Sequence, residues 1–307
     1  MVNNVEVKPR MENHNTAIPP TRRIVDRTLR RRLRKRVISD PFAFAALILL
    51  MVVTLGAIFA PLVAPYDPYA VNNAIRLKPP GTPGYILGTD EIGRDILSRL
   101  LWGGRVSLRV AIMAVVIALI VGVGLGLLAG FFGGFIDHII MRILDVVLAF
   151  PYILLAIGIA TVLGPGITNA ILAITVITIP VFARLMRATA MSIREQDFVQ
   201  AARAVGASTP RILIRHVLPN SVSVLIVYAT LETGRMVIAA ASLSFLGLGI
   251  QPPEADWGAM LATGRASLTI APHVATIPGL VIFAVTLALN LVGEALRDAL
   301  DPRSINL

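Results

Sequence analysis

Residues Gly88-Thr-Asp-Glu-Ile-Gly93-Arg94-Asp95 have the G-x-x-x-x-G outline of a loop that cradles phosphate. The side chains contradict that chemistry. Arg94 and Asp95 stand where Lys and Ser/Thr would be needed, and Asp90 and Glu91 place two acids where the anion would sit. Gly124-Val-Gly126 repeats part of a dinucleotide fingerprint, but it lies inside an apolar run with no preceding strand. The chain has no cysteine, which excludes disulfides and thiolate metal sites, and its histidines at 14, 138, 216 and 273 form no cluster. No Ser/His/Asp or paired-carboxylate constellation is supported. The chain is expected to bind no metal or cofactor and to catalyse nothing by itself.

Two charged pairs fall in apolar surroundings. Glu232 and Arg235 sit three residues apart in a long apolar stretch. Charges within a bilayer are costly and face a cavity or one another. The pair is therefore either a polar point on a substrate path or a self-paired i, i+3 bridge. Arg142 and Asp145 form a second such pair, nearer a membrane surface, where a packing role is expected.

The most informative polar segment runs from Asp197 to Asn220 and reads as helix, turn, helix. Asp197 is placed to cap the first helix. Phe198, Ala201, Ala202 and Val205 recur at i, i+3, i+4 and i+7 and form one apolar face. Gly206 supplies the left-handed stop. Ser208 or Thr209 caps the second helix, with Pro210 at its first position. Pro219 is expected to end the segment. A rigid helical knob of this kind suits the transmission of force from a partner; the plainer reading is an amphipathic connector lying on a membrane.

The elements that position these residues follow from hydropathy. The chain has 307 residues, of which 56% are hydrophobic and 15% charged, well below the roughly one quarter charged in soluble domains. A membrane-spanning helix needs about 20 apolar residues. Six such spans are expected: 42–64, 110–136, 139–161, 167–186, 219–241 and 270–293. The third and fourth are divided at Leu163-Gly164-Pro165-Gly166. Residues 65–105 and 246–269 are then loops on one side, and 187–218 a loop on the other. Residues 106–294 form the transport core, and 295–307 a cytoplasmic tail. In the second span Gly122, Gly126 and Gly130 recur every fourth residue, with Gly124 and Ala129 beside them. That phasing allows close approach of another backbone, from this chain or from another subunit.

The net charge is +10, and residues 1–39 hold eleven Lys/Arg against three acids. A basic arm of this kind can bind nucleic acid. Here an uncharged run follows at once, so the tail (1–41) is expected to anchor topology, with the N-terminus cytoplasmic and no nucleic-acid partner. Val25, Leu29, Leu33 and Val37 recur every fourth residue and suit a short helix on the anionic face of the lipid bilayer. Six spans return the C-terminus to the same side.

Gln200-Ala201-Ala202-x-x-x-Gly206-x₉-His216-x-Leu218-Pro219 resembles the EAA loop of binding-protein-dependent ABC import permeases, with Gln200 in place of the family's Glu. The segments Leu87–Arg99, Ser242–Pro253, Trp257–Met260 and Leu296–Pro302 resemble the C-type permeases of dipeptide, oligopeptide, glutathione and nickel importers. The resemblance covers about residues 41–303. It implies an all-α integral membrane protein with six transmembrane helices in the type I ABC importer permease fold. It also implies a bacterial inner-membrane complex with a second, B-type permease, two ABC ATPase subunits and an extracytoplasmic solute-binding protein. ATP and Mg²⁺ would then sit on the ATPase partners, and Gln200–Pro219 would form the coupling helices. Peptide is the default substrate, with nickel, glutathione or another small solute as alternatives. An ion-coupled secondary transporter would be expected to show repeats and more intramembrane charges. A membrane scaffold or receptor is the remaining rival, and ATPase and second-permease genes beside this one would distinguish it from a permease.

Overall fold

A computed structural model describes residues 40–300. The basic tail, with its 25–37 periodicity, and residues 301–307 lie outside the described residues. Those described are helical, with only two isolated bridges, Thr82–Tyr85 and Thr89–Asp95, of β type. Helix α1 (Pro41–Ile58) starts at Asp40, whose Oδ1 accepts from Phe42 N at 2.9 Å. It is apolar all round and buries only Ala43, Ala46 and Ala57 against the bundle, which leaves its larger side chains for lipid. A single turn, α2 (Ala60–Val63), follows.

Helix α3 (Ile96–Phe132) is 37 residues long, about 55 Å, and begins well before the expected start at residue 110. Arg99, Arg105 and Arg109 do not stop it, because its first turns stand beyond the apolar zone. Residues 65–105 are therefore a loop only as far as Asp95. Asp95 caps the helix, its Oδ2 accepting from Ser98 N at 2.8 Å.

The expected third span is not one helix. Helices α4 (Gly134–Leu148) and α5 (Tyr152–Leu163) are bent by 87° at Ala149-Phe150-Pro151. Proline at 151 removes a backbone donor and disfavours helix at the residue before it, which accounts for the break. The 12 residues of α5 reach only about 18 Å, short of the roughly 30 Å of a hydrocarbon core. The crossing is thus made by a bent pair, and the amphipathic α4 keeps its charges at the bundle's edge. Arg142 and Asp145 do not pair with each other. Asp145 accepts from Arg184 at 2.6 Å, and Asp137 takes Arg187 in a bidentate pair, so that α4 is fastened sideways to α6 (Ile167–Arg194).

Chain order continues with α7 (Asp197–Ala204), α8 (Thr209–Ile212), a π-helical turn (Leu213–Val217), α9 (Leu218–Phe245), α10 (Trp257–Gly264) and α11 (His273–Leu300). Residues Thr209–Phe245 run as one continuous span, so Pro219 lies inside a helical column rather than ending a segment. Among the described residues five helices are long and apolar enough to cross a membrane, and the bent pair taken as one span brings the number to six.

Helices α3 and α6 run parallel and form the most extensive contact of the bundle. Gly122, Gly126 and Gly130 sit on this seam. A Cβ at Gly122 would lie 2.7 Å from Phe182 Cβ, one at Gly126 would strike the Ala183 carbonyl, and one at Gly130 would lie 2.5 Å from the Arg187 carbonyl. The partner of the glycine face is thus a helix of the same chain. At the far end of α3, α10 docks through the fully buried Trp257, whose Nε1 donates to the Leu100 carbonyl at 3.0 Å. Asp256 caps α10 and accepts from Ser107 Oγ at 2.6 Å. Burial pushes this carboxyl above the usual carboxylate range, and the Ser107 bond opposes that shift.

Gly126→Leu is expected to wedge α3 from α6 and destabilise the fold by about 1–3 kcal/mol or more. Gly124 is exposed with nothing within 4 Å, so Gly124→Leu should be silent. Thermal melting and size exclusion in detergent of the two variants check this; equal melting temperatures would contradict the seam.

Candidate functional site

The loop from Glu195 to Val217 folds as a compact knob on the ends of α3, α6 and α9. Gly206 adopts φ +82°, and its N–H donates to the Arg203 carbonyl at 2.9 Å while Ala207 N–H donates to the Ala202 carbonyl at 3.0 Å. These two bonds are a Schellman closure of α7, for which a residue without Cβ is the natural choice. The start of α7 differs from expectation. Gln196, not Asp197, is the N-cap residue, and Asp197 lies in the first turn. There its charge faces the positive end of the helix dipole. Ser208 precedes α8 in an extended conformation without a side-chain capping bond, and Pro210 is at the helix start.

A single side chain of α7, Val199, is buried in the bundle. Val199 is fully buried in a cluster with Phe131, Met186, Ile193, Ile212 and Val217. The expected face behaves differently: Ala202 is half-buried, while Phe198 and Ala201 are exposed and Val205 is 84% exposed. Ile214 is also exposed. The helix therefore turns its short Val199 side inward and leaves an apolar tip uncovered. Sequence periodicity identified an apolar stripe but could not say which stripe meets the rest of the chain. His216 lies beside Phe198, with ring centroids 6.0 Å apart, and Leu218 is half-buried below it. Pro219 is exposed at the start of α9.

Gln200 closes the turn between α6 and α7. Its Nε2 donates to the Arg194 carbonyl at 3.1 Å. The Arg194 guanidinium in turn donates to the Phe131 carbonyl at the end of α3, at 3.0 Å, and to Glu195 at 2.9 Å. Arg203 lies over the Phe131 ring at 5.0 Å. The knob is thereby bonded to α6 and α3, and it runs directly into α9, whose Leu225 packs in the same cluster.

Glu232 and Arg235 lie mid-way along α9. Arg235 Nη1 donates to Glu232 Oε1 at 2.8 Å, so the self-paired arrangement is present. It does not satisfy the whole group: Glu232 is buried, and its Oε2 has no hydrogen-bond partner among the described residues. Arg235 is half exposed and sits 5.7 Å over the ring of Tyr152 at the start of α5.

The phosphate-loop outline encloses an anion of its own. Asp90 Oδ1 accepts from Arg94 N at 2.8 Å and Ile92 N at 3.1 Å, while Oδ2 accepts from Arg94 Nε at 2.6 Å. Arg99 approaches the same oxygen at 3.5 Å. The loop is a structural staple before α3. A cavity that sequence reasoning missed lies at the end of the bundle opposite the knob. It is lined by residues from four separate segments, whose convergence no local spacing signals.

The described residues thus form a multi-helix membrane bundle with a helical knob at one end. A sequence-family model described as "Binding-protein-dependent transport system inner membrane component" matches residues 122–306, and one for the "N-terminal TM domain of oligopeptide transport permease C" matches 28–80. The chain belongs to this family and is an ABC importer permease of the oligopeptide/dipeptide C-type class. It is similar to the glutathione transport system permease protein GsiD of Shigella flexneri serotype 5b, with 48% identity over 273 residues, 89% of each chain. GsiD of Escherichia coli O6:K15:H31 is 47% identical over the same coverage. Among solved structures, the MetNI methionine ABC transporter in inward-facing conformations shares the fold. Its TM-score is 0.54 at 19% identity, covering 66% of this chain and 97% of that one.

Val199→Asp would bury an unpaired charge and is expected to release α7. Limited proteolysis should then gain a cut between residues 195 and 208; unchanged protection would show that the knob has another anchor.

Proposed function

We propose that this chain forms one half of the translocation pathway of an ATP-driven importer and passes the work of separate ATPases through the Gln200–Pro219 knob. The reading rests chiefly on one observation: a knob tied to three spans presents an uncovered apolar tip at Phe198, Val205 and Ile214. A rigid element with an unpartnered apolar end fits insertion into a cleft of another subunit. In this reading Gln200, Ala201, Ala202, Gly206, His216, Leu218 and Pro219 belong to the coupling surface. The partners are a B-type permease, two ABC ATPase subunits that hold ATP and Mg²⁺, and an extracytoplasmic solute-binding protein. The chain itself is non-catalytic. It sits in the bacterial inner membrane with both termini cytoplasmic, and the five Arg of 187–218 against two acids agree with that orientation.

Transport follows an alternating-access cycle. ATP binding draws the ATPase pair together and displaces the knob. Because Thr209–Phe245 is a single column, the displacement reaches the middle of the pathway as a tilt of α9. ATP drives the change only through its differential affinity for the two states. Di- and oligopeptides are the proposed substrate class, and the likeness to glutathione permeases favours small peptides of that chemistry.

Gly206→Val places a β-branched residue at φ +82° with open space around its Cβ, so local strain and not a clash is the effect. Binding-protein- and ATP-dependent uptake into proteoliposomes is expected to fall at least tenfold while the subunit still inserts and assembles. Normal uptake would refute the coupling role. Replacing Glu232 and Arg235 together by alanine should lower uptake and alter selectivity if the pair lines the path. Unchanged uptake with unchanged selectivity would restrict the pair to packing.

A further inference from the structure

The cavity at the end of the bundle opposite the knob has no part in the coupling just described. It encloses about 310 Å³, the lower end of the range for small-molecule sites. Tyr69, Trp102, Arg105, Arg109, Ile167 and Glu254 line it. Arg105 and Arg109 stand one turn apart on α3 and both are exposed. Like charges at that spacing repel, and neither is ion-paired with a carboxylate among the described residues. The Arg105 guanidinium lies 5.2 Å over the Trp102 ring. Glu254, on the loop before α10, makes no ion pair within the described residues either. One wall of the cavity is thus doubly cationic, another anionic, and the surfaces between them aromatic and aliphatic.

We propose that this cavity is an entry subsite for a small amphoteric solute, in which Arg105 and Arg109 hold carboxylate groups and Glu254 holds an ammonium group. The proposal rests on the importer reading above and gives it a substrate chemistry. Guanidinium groups match carboxylates with paired N–H donors, and their excess of charge here is what an anionic ligand would neutralise. Trp102, Tyr69 and Ile167 supply apolar contact for the stem between the charged ends, and the concavity favours a solute over a flat protein surface.

The test is saturation-transfer NMR on the nanodisc-reconstituted permease–ATPase complex without binding protein, with reduced glutathione and its diethyl ester as probes. Transfer to glutathione is expected, at least fivefold weaker to the diester and at least fivefold weaker in the Arg105→Gln/Arg109→Gln variant. Arg105→Lys/Arg109→Lys should retain part of it, which separates lost charge from lost fold. Equal transfer to acid and ester, or equal transfer in wild type and the Gln variant, overturns the subsite. So does a Gln variant that binds glutathione normally but loses stimulation of ATPase activity by the binding protein, since that assigns the arginines to protein docking. Parallel uptake assays divide the two levels. ATP-dependent peptide uptake by the wild type without saturation transfer removes the subsite alone. No ATP-dependent uptake of any peptide removes the importer reading beneath it.

Discussion

The close approach of α3 and α6 is the constraint on which the rest of the bundle depends. Lipid gives apolar side chains little reason to leave it, so two spans associate when their backbones fit together. Here three glycines at four-residue intervals remove every Cβ from one stripe of α3, and carbonyls and Cβ atoms of Ile179 to Ala190 fill the space. The ends of both helices are then fixed relative to one another. The end of α3 supplies Phe131, the end of α6 supplies Met186 and Ile193, and these make the socket for Val199. Without the glycine seam there would be no socket, and the knob would be a loose connector.

The same seam organises the polar groups. It sets Arg184 and Arg187 where α4 can be tied by Asp145 and Asp137. It also sets Arg194 where it reaches the terminal carbonyl of α3. At the other end, α3 projects about ten residues beyond the start of α6, and on that projection stand Ser107, Leu100 and Gly103, against which Asp256 and Trp257 pack. One long helix therefore carries both the socket for the knob and the platform for the opposite loops.

Much of this was legible from residue types alone. Uncharged runs of spanning length placed the crossings, and Gly206 with its spacing placed the turn, because length and φ > 0 are local requirements. The failures have a common cause. The extension of α3 to Ile96 was hidden because Arg99 and its neighbours read as loop charges, although Arg99 is buried against Asp90 and the Pro68 carbonyl. Phe150-Pro151 reads as the interior of a span; the proline permits the break, and the ties of α4 to α6 through Asp137 and Asp145 hold the bent form. The partner of Asp145 lies 39 residues away and not three. Val199 falls outside the i, i+3, i+4, i+7 stripe of Phe198, Ala201, Ala202 and Val205, and only the socket formed by α3 and α6 shows that it is the side chain buried. In each case the missing information was a contact between distant segments.

Gln200 bears on how the knob responds to its surroundings. Its amide nitrogen donates to the Arg194 carbonyl at the end of α6, a role that a glutamate could fill only when protonated. An amide neither titrates nor recruits counter-ions. This one hydrogen bond between α6 and α7 therefore does not depend on the ionisation of the residue at 200, whereas the neighbouring Arg194–Glu195 pair remains open to screening by salt.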